Sequence, residues 1–83
     1  MRFDVALFEL RLFKSRSQAS LAIQDGVARL NDAVVKPSHA LRAGDRLTLV
    51  GERGSRTLEI LGLPRAGLSK EAARALVREV AKE

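Results

Sequence analysis

At Gly26 the spacing of the apolar residues changes, and that change constrains the fold more than any other feature of the chain. Upstream, Ala19, Ala22 and Ile23 recur at intervals of three and four, so they share one face of a helix. Downstream, Ala28 and Leu30 alternate with Val27 and Arg29, the period of a half-buried strand. Glycine lacks a Cβ and readily takes the left-handed conformation that closes a helix, which suits Gly26 to the junction. The helix it closes has a legible start. Ser15 can accept an amide hydrogen of the first turn, and Gln18 stands where a capping box needs it. An earlier short helix is expected to run to about Arg11, with Asp4 as its N-cap and Phe3 and Phe8 as a hydrophobic staple. Leu12-Phe13-Lys14 reads as the turn between the two helices.

Beyond Gly26 the segments are short. Asn31-Asp32 is a tight-turn pair, with Val34-Val35 as the returning strand, and Lys36-Pro37-Ser38 breaks it. Gly44-Asp45 is a second turn, leading into a strand Leu47-Thr48-Leu49-Val50. A polar hairpin loop is expected over 51–55 and a further strand over 57–61. Ser69 is placed to cap a last helix with Ala73, Leu76, Val77 and Val80 on one face. Helices first, then strands, then a helix is an α+β order rather than alternating βαβ units. The expected architecture is two N-terminal helices packed on a small, mostly antiparallel sheet, with a C-terminal helix. Eighty-three residues make a single domain, 1–83, burying roughly 60% of the unfolded surface. Its core has to come from the 46% apolar content, since there are only three Phe and no Trp or Tyr for a large stacking platform.

Several function classes are disfavoured. The chain has no Cys, so there is neither a disulfide framework nor a thiolate metal site, and a reducing cytoplasm is the expected compartment. The single histidine, His39, sits beside a Pro-Ser loop without the orienting partner and nucleophile that catalysis needs. No His, Asp and Glu cluster has metal-ligand spacing, and the glycines form no phosphate-binding fingerprint. The expectation is a protein that is not an enzyme and has no cofactor or metal. No apolar run approaches the ~18 residues of a membrane span, and the start of the chain does not read as a signal peptide. Fifteen Lys and Arg against ten Asp and Glu give a net charge of +5, which favours a polyanionic partner.

The positive charge is concentrated around the turn between the first two helices. Arg11, Lys14 and Arg16 place three cations in six residues with no acid among them. The adjoining helix start adds unpaired amides and a positive dipole end, both suited to phosphate. Ser17, Ser20 and Gln24 follow on the polar side of that helix, and Arg29 on the outward face of the next strand can extend the surface. A solvated charged face is the plainer reading of any one of these residues. Lys70, Arg74 and Arg78, at intervals of four, are expected to form a second basic stripe on the last helix, partly screened by Glu71 and Glu79.

With these residues in view, the stretch from Arg2 to Val50 resembles the RNA-binding domain first described in ribosomal small-subunit protein four, the S-four domain. The resemblance rests on Arg2-Phe3-Asp4, on Ser15-Arg16-Ser17-Gln18-Ala19, on the run from Gly26 through Asn31-Asp32, and on Pro37 and Gly44-Asp45, in that order and spacing. Its standalone length, with the runs Arg11-Leu12-Phe13-Lys14-Ser15-Arg16 and Val35-Lys36-Pro37-Ser38, is similar to the heat-shock protein fifteen class and its short relatives in ribosome-associated quality control. Ser20, Leu21, Gln24, Asp25, Val5 and Val27 stand where relatives often carry Lys or Arg, and Asp32 replaces the hairpin glycine. The inherited surface is therefore less cationic than is usual in the family.

The resemblance implies a noncatalytic domain with a core motif over 2–50 and a strand pair and C-terminal helix over 51–83. It would dock on structured rRNA or tRNA, on the large ribosomal subunit in stalled-ribosome rescue or quality control, as a cytoplasmic monomer without a membrane partner. Arg11, Lys14 and Arg16 would grip phosphates, Ser17 and Gln18 would hydrogen-bond at the helix start, and Arg29, Lys36 and Arg42 would extend the contact along the strands. Two other readings stay open from the sequence: a helix-turn-helix that reads DNA with residues 16–24, and an RNA-targeting subunit of an RNA-modifying enzyme.

Overall fold

The structure, a computed structural model, describes residues 1–80. Two short helices, α1 (Phe3–Glu9) and α2 (Arg16–Gln24), are followed by strands β1 (Ala28–Leu30), β2 (Arg46–Gly51) and β3 (Gly54–Ile60). A one-turn helix, α3 (Lys70–Arg74), and a strand, β4 (Val77–Val80), complete the described residues. The strands form one sheet in the order β1-β2-β3-β4 with every neighbouring pair antiparallel. The α+β class holds, with helices near both ends of the chain around the sheet.

The helical spacing places Phe3, Ala6 and Leu7 on one face of α1, continued by Leu10 just past its end, and Ala19, Ala22 and Ile23 on one face of α2, and all seven are buried. They close over the sheet face that carries Ala28, Leu30, Leu47, Leu58 and Ile60, with Leu41 filling in from the loop before β2. Burial of each large apolar side chain contributes about 1.5–3 kcal/mol, so this layer holds the two helices in place.

The start of α1 differs from expectation. The helix begins at Phe3, Arg2 occupies the N-cap without a side-chain bond to the backbone of the first turn, and Asp4 lies inside that turn. The reason is the loop before β2. His39 and Pro37 carbonyls accept the Phe3 and Asp4 amides at 2.8 and 3.1 Å, leaving no need for a side chain at those positions. Asp4, 7% exposed, accepts from Val5 N–H and pairs with Arg2, while Phe3 points into the core rather than forming a staple.

Two strand expectations also change. Beyond the Asn31-Asp32 turn, where both residues have positive φ, only Ala33 pairs back, in a single bridge to Leu30. Val34 is exposed and Val35 rests against the core; the chain leaves to deliver the carbonyls that cap α1. The partner of β1 is β2, and Asn31 extends that pairing by accepting the Arg46 amide with its side-chain oxygen. The loop expected over 51–55 is tighter, because Gly51 pairs with Gly54 across a two-residue turn and Ser55 is already in the ladder.

The C-terminal helix starts as expected, with Ser69 Oγ accepting the Ala72 amide at 3.1 Å, but it ends after five residues. Leu76 and Val77 do reach the core, yet Val77–Val80 lie in β4, which covers the otherwise open edge of β3. Arg78 therefore pairs with Glu59 and Arg56 with Glu79 across the strands, and the stripe Lys70-Arg74-Arg78 does not exist as a helix face. Residues 81–83, the end of the expected helical segment and domain, lie outside the described residues.

Candidate nucleic-acid interface

The turn between α1 and α2 is shaped by two complementary ends. Helix α1 closes with Leu10 as C-cap and Arg11 in the left-handed region at φ 61°. The Arg11 amide donates to the Phe8 carbonyl and the Leu12 amide to the Leu7 carbonyl, the paired bonds of a Schellman ending. Helix α2 closes the same way at Gly26, φ 76°, with Gly26 and Val27 donating to Ile23 and Ala22. At the start of α2, Ser15 Oγ accepts the Gln18 amide at 3.1 Å, as the capping motif predicts. The first turn of α2 carries no acid, so its positive dipole end and the Arg16 side chain reinforce one another.

Of the eight residues expected to bind, five are brought together here. Lys14, Arg16, Ser17 and Gln18 are exposed around the turn and the first turn of α2, and Arg11 is exposed beside them. The Arg16 guanidinium lies 5.9 Å from the centre of the Phe8 ring, a cation–π contact that fixes it over the end of α1. Arg11 is less free than its sequence suggests. Its Nε and Nη2 donate to the Leu68 carbonyl at 3.0 and 2.7 Å, using part of its donor set on the fold itself.

The other three stand apart. Arg29 Nε donates to the Gly26 carbonyl at 2.9 Å, just past the end of α2 opposite Arg16, with about 12 Å of helix between the two ends. Lys36 is in the loop that caps the start of α1, and Arg42 is held in the turn before β2, where its amide donates to Asp45 Oδ2. All three are exposed, so the eight residues form a principal cluster with outlying cations.

Sequence reasoning did not bring the connector between β3 and α3 to this site. Glu9 Oε2 accepts the Gly67 amide at 3.1 Å, and with the Arg11–Leu68 bonds it clips that connector onto the end of α1. Lys70 arrives with it, beside Arg11 and Lys14. The contacts span 57 and 58 residues, a distance at which no local signal exists; Phe8 reads as half of a staple with Phe3 and Phe13 as a turn residue, so neither points to the connector. Among the described residues no group of His, Cys, Asp and Glu could hold a metal ion, and no helix is long and apolar enough to cross a membrane.

The S4 domain family model, the S-four domain named above, matches residues 1–47. Among solved structures, the chain is similar to heat shock protein 15 of Vibrio cholerae, described as trimeric, with 28% sequence identity and a TM-score of 0.89. That likeness covers 98% of this chain and 82% of the other. No curated protein matches the sequence.

Proposed function

The chain belongs to the S4 domain family of RNA-binding proteins, and from that premise we propose that it docks, without catalysis, on structured RNA of the large ribosomal subunit. The observation that carries this reading is the α1–α2 turn. It presents Lys14, Arg16, Ser17 and Gln18 to solvent on a backbone fixed by a helix ending on one side and a side-chain cap on the other. A rigid cationic knob of this kind recognises phosphates and ribose hydroxyls of folded RNA by shape, with no base code required. Arg16 supplies planar, bidentate geometry and Lys14 a point charge, while Arg29, Lys36 and Arg42 extend the field to either side. The likeness to heat shock protein 15 supports a role in stalled-ribosome rescue or quality control in the cytoplasm, where the domain would steady peptidyl-tRNA on the subunit. The working unit in this reading is the whole of 1–83 as a monomer.

Sedimentation of the tagged protein with ribosomal subunits through a sucrose gradient tests the proposal. The wild-type protein should travel with the large subunit, and Lys14→Ala combined with Arg16→Ala should leave that peak. Losing two charge-assisted phosphate contacts costs on the order of 2–5 kcal/mol, enough to release a modest binder. Travel of the wild-type protein with an enzyme in place of the subunit, or persistence of the double variant in the peak, would sink the assignment.

A further inference from the structure

Beside the cationic turn lies an open groove of about 720 Å³, bounded by the end of α1 on one side and the clipped connector on the other. Its lining includes Phe8, Leu12, Phe13 and Leu68. Phe8 and Phe13 are two of the three aromatic residues in the chain, and both are half-buried, whereas Phe3 is fully enclosed in the core. The groove is thus where this protein leaves aromatic surface within reach of solvent. Its edges are basic. Arg11, Lys14 and Lys70 line it, Arg16 lies over the Phe8 ring, and the single acid, Glu9, already accepts the Gly67 amide.

Apolar aromatic floor and cationic edge together match one ligand chemistry on a folded RNA, a base that has left the stack while its phosphates stay on the strand. Aromatic faces accept any base by stacking, and nearby Lys and Arg hold the flanking phosphates. A paired base inside a duplex cannot present its face, so the knob alone reads the helix and the groove adds a preference for a bulge or loop. We propose that this groove takes a single unstacked nucleobase of the bound RNA, against Phe8 and Phe13, with the flanking phosphates on Lys14 and Lys70. The inference rests on the RNA-docking reading above and adds to it a preference for RNA with an extruded nucleotide. It also gives the Glu9–Gly67 and Arg11–Leu68 bonds a purpose, since they hold the far wall of the groove and bring Lys70 to its edge.

The probes are a short RNA duplex and the same duplex carrying one bulged 2-aminopurine, titrated with the full chain at one salt concentration. The bulged RNA should bind about fivefold or more tightly than the plain duplex, and the 2-aminopurine fluorescence should change on binding as the base meets a new stacking partner. Phe13→Leu keeps the site apolar and should abolish the preference and the fluorescence change while leaving duplex affinity intact. Phe8→Leu should also abolish the preference and the fluorescence change; because it removes the ring beneath Arg16 as well, it is read by the ratio of bulged to plain duplex affinity, and it serves as the second variant if Phe13→Leu folds poorly. Equal wild-type affinity for the two RNAs, or a preference that survives both substitutions, overturns the proposal and leaves RNA docking standing. Failure to bind either RNA overturns both.

Discussion

The backbone of Arg11 sits at φ 61°, where the Cβ of an L-residue crowds the following carbonyl. Helix ends of this kind usually take glycine, as α2 does at Gly26, and at Arg11 the side chain offers a reason for the exception. Its two bonds to the Leu68 carbonyl join segments 57 residues apart. Alanine at this position would keep the unfavourable φ and lose both bonds, while glycine would lose the bonds but relieve the backbone. Thermal unfolding should therefore rank wild type above Arg11→Gly and Arg11→Gly above Arg11→Ala. The alanine variant should lose about 1–2 kcal/mol, and glycine should recover roughly half to one kcal/mol of that. Identical melting of wild type and Arg11→Ala would mean the clip adds nothing. This role was not legible in the sequence. The helix is expected to end at about Arg11, but arginine has no turn signature, so Arg11 reads as a phosphate ligand and nothing marks it for the left-handed conformation or for the bonds to Leu68. Gly26 was legible because its residue type has few other uses at the end of an amphipathic run.

Between β3 and β4 an exposed charge ladder does what an apolar edge would otherwise have to do. Glu59 faces Arg46 on one side and Arg78 on the other in the strand register. The Arg78 hydrogen bond, then the charge of Arg78 and more weakly that of Arg46, hold the Glu59 carboxyl below its usual range, against a smaller opposing effect of desolvation. A carboxyl lowered in the fold contributes stability that is present above its unfolded value and is lost as pH falls through the folded one. Glu59→Gln should therefore melt below wild type at neutral pH, and the gap should close as the buffer is acidified through and below the ordinary glutamate range. A gap that stays constant with pH would show that the ladder contributes nothing through ionisation. The same region explains why a helix was expected over Ala73, Leu76, Val77 and Val80. Their spacing fits one helical face, but β3 has an edge to cover, and β-branched Val77 and Val80 suit a strand there. Val34-Val35 is the reverse case, strand-forming residues drawn out of the sheet by a loop that has to satisfy the first amides of α1. Elements with their own start and stop signals, α2 above all, were legible; those decided by an open edge or a distant amide were not.

Over the whole molecule the net charge of +5 is unevenly distributed. Arg2, Arg56 and Arg78 are each paired with a carboxylate, whereas no carboxylate pairs with Arg11, Lys14 or Arg16 among the described residues. The family motif brings the candidate residues 11–18 together because they are continuous in the chain. Residues 67–70 join that cluster only through tertiary folding, and Arg29 in β1, Lys36 in the loop that caps α1 and Arg42 in the turn before β2 stand apart from it. This geometry has a thermodynamic consequence. A basic knob with nearby Lys70 and outlying cations should contact about four to six phosphates, so the logarithm of the association constant for folded RNA should fall with the logarithm of salt at a slope of roughly −3 to −5. Each phosphate ligand removed should flatten the slope by about one, and Lys14→Ala with Arg16→Ala should flatten it by roughly two. Arg29→Ala alone should flatten it by one or less, since its guanidinium already serves the Gly26 carbonyl. Fluorescence anisotropy titrations at several salt concentrations give all three slopes. A wild-type slope near zero would rule out electrostatic docking, and a larger loss for Arg29→Ala than for the double variant would move the primary contact from the α1–α2 turn to the sheet end of α2.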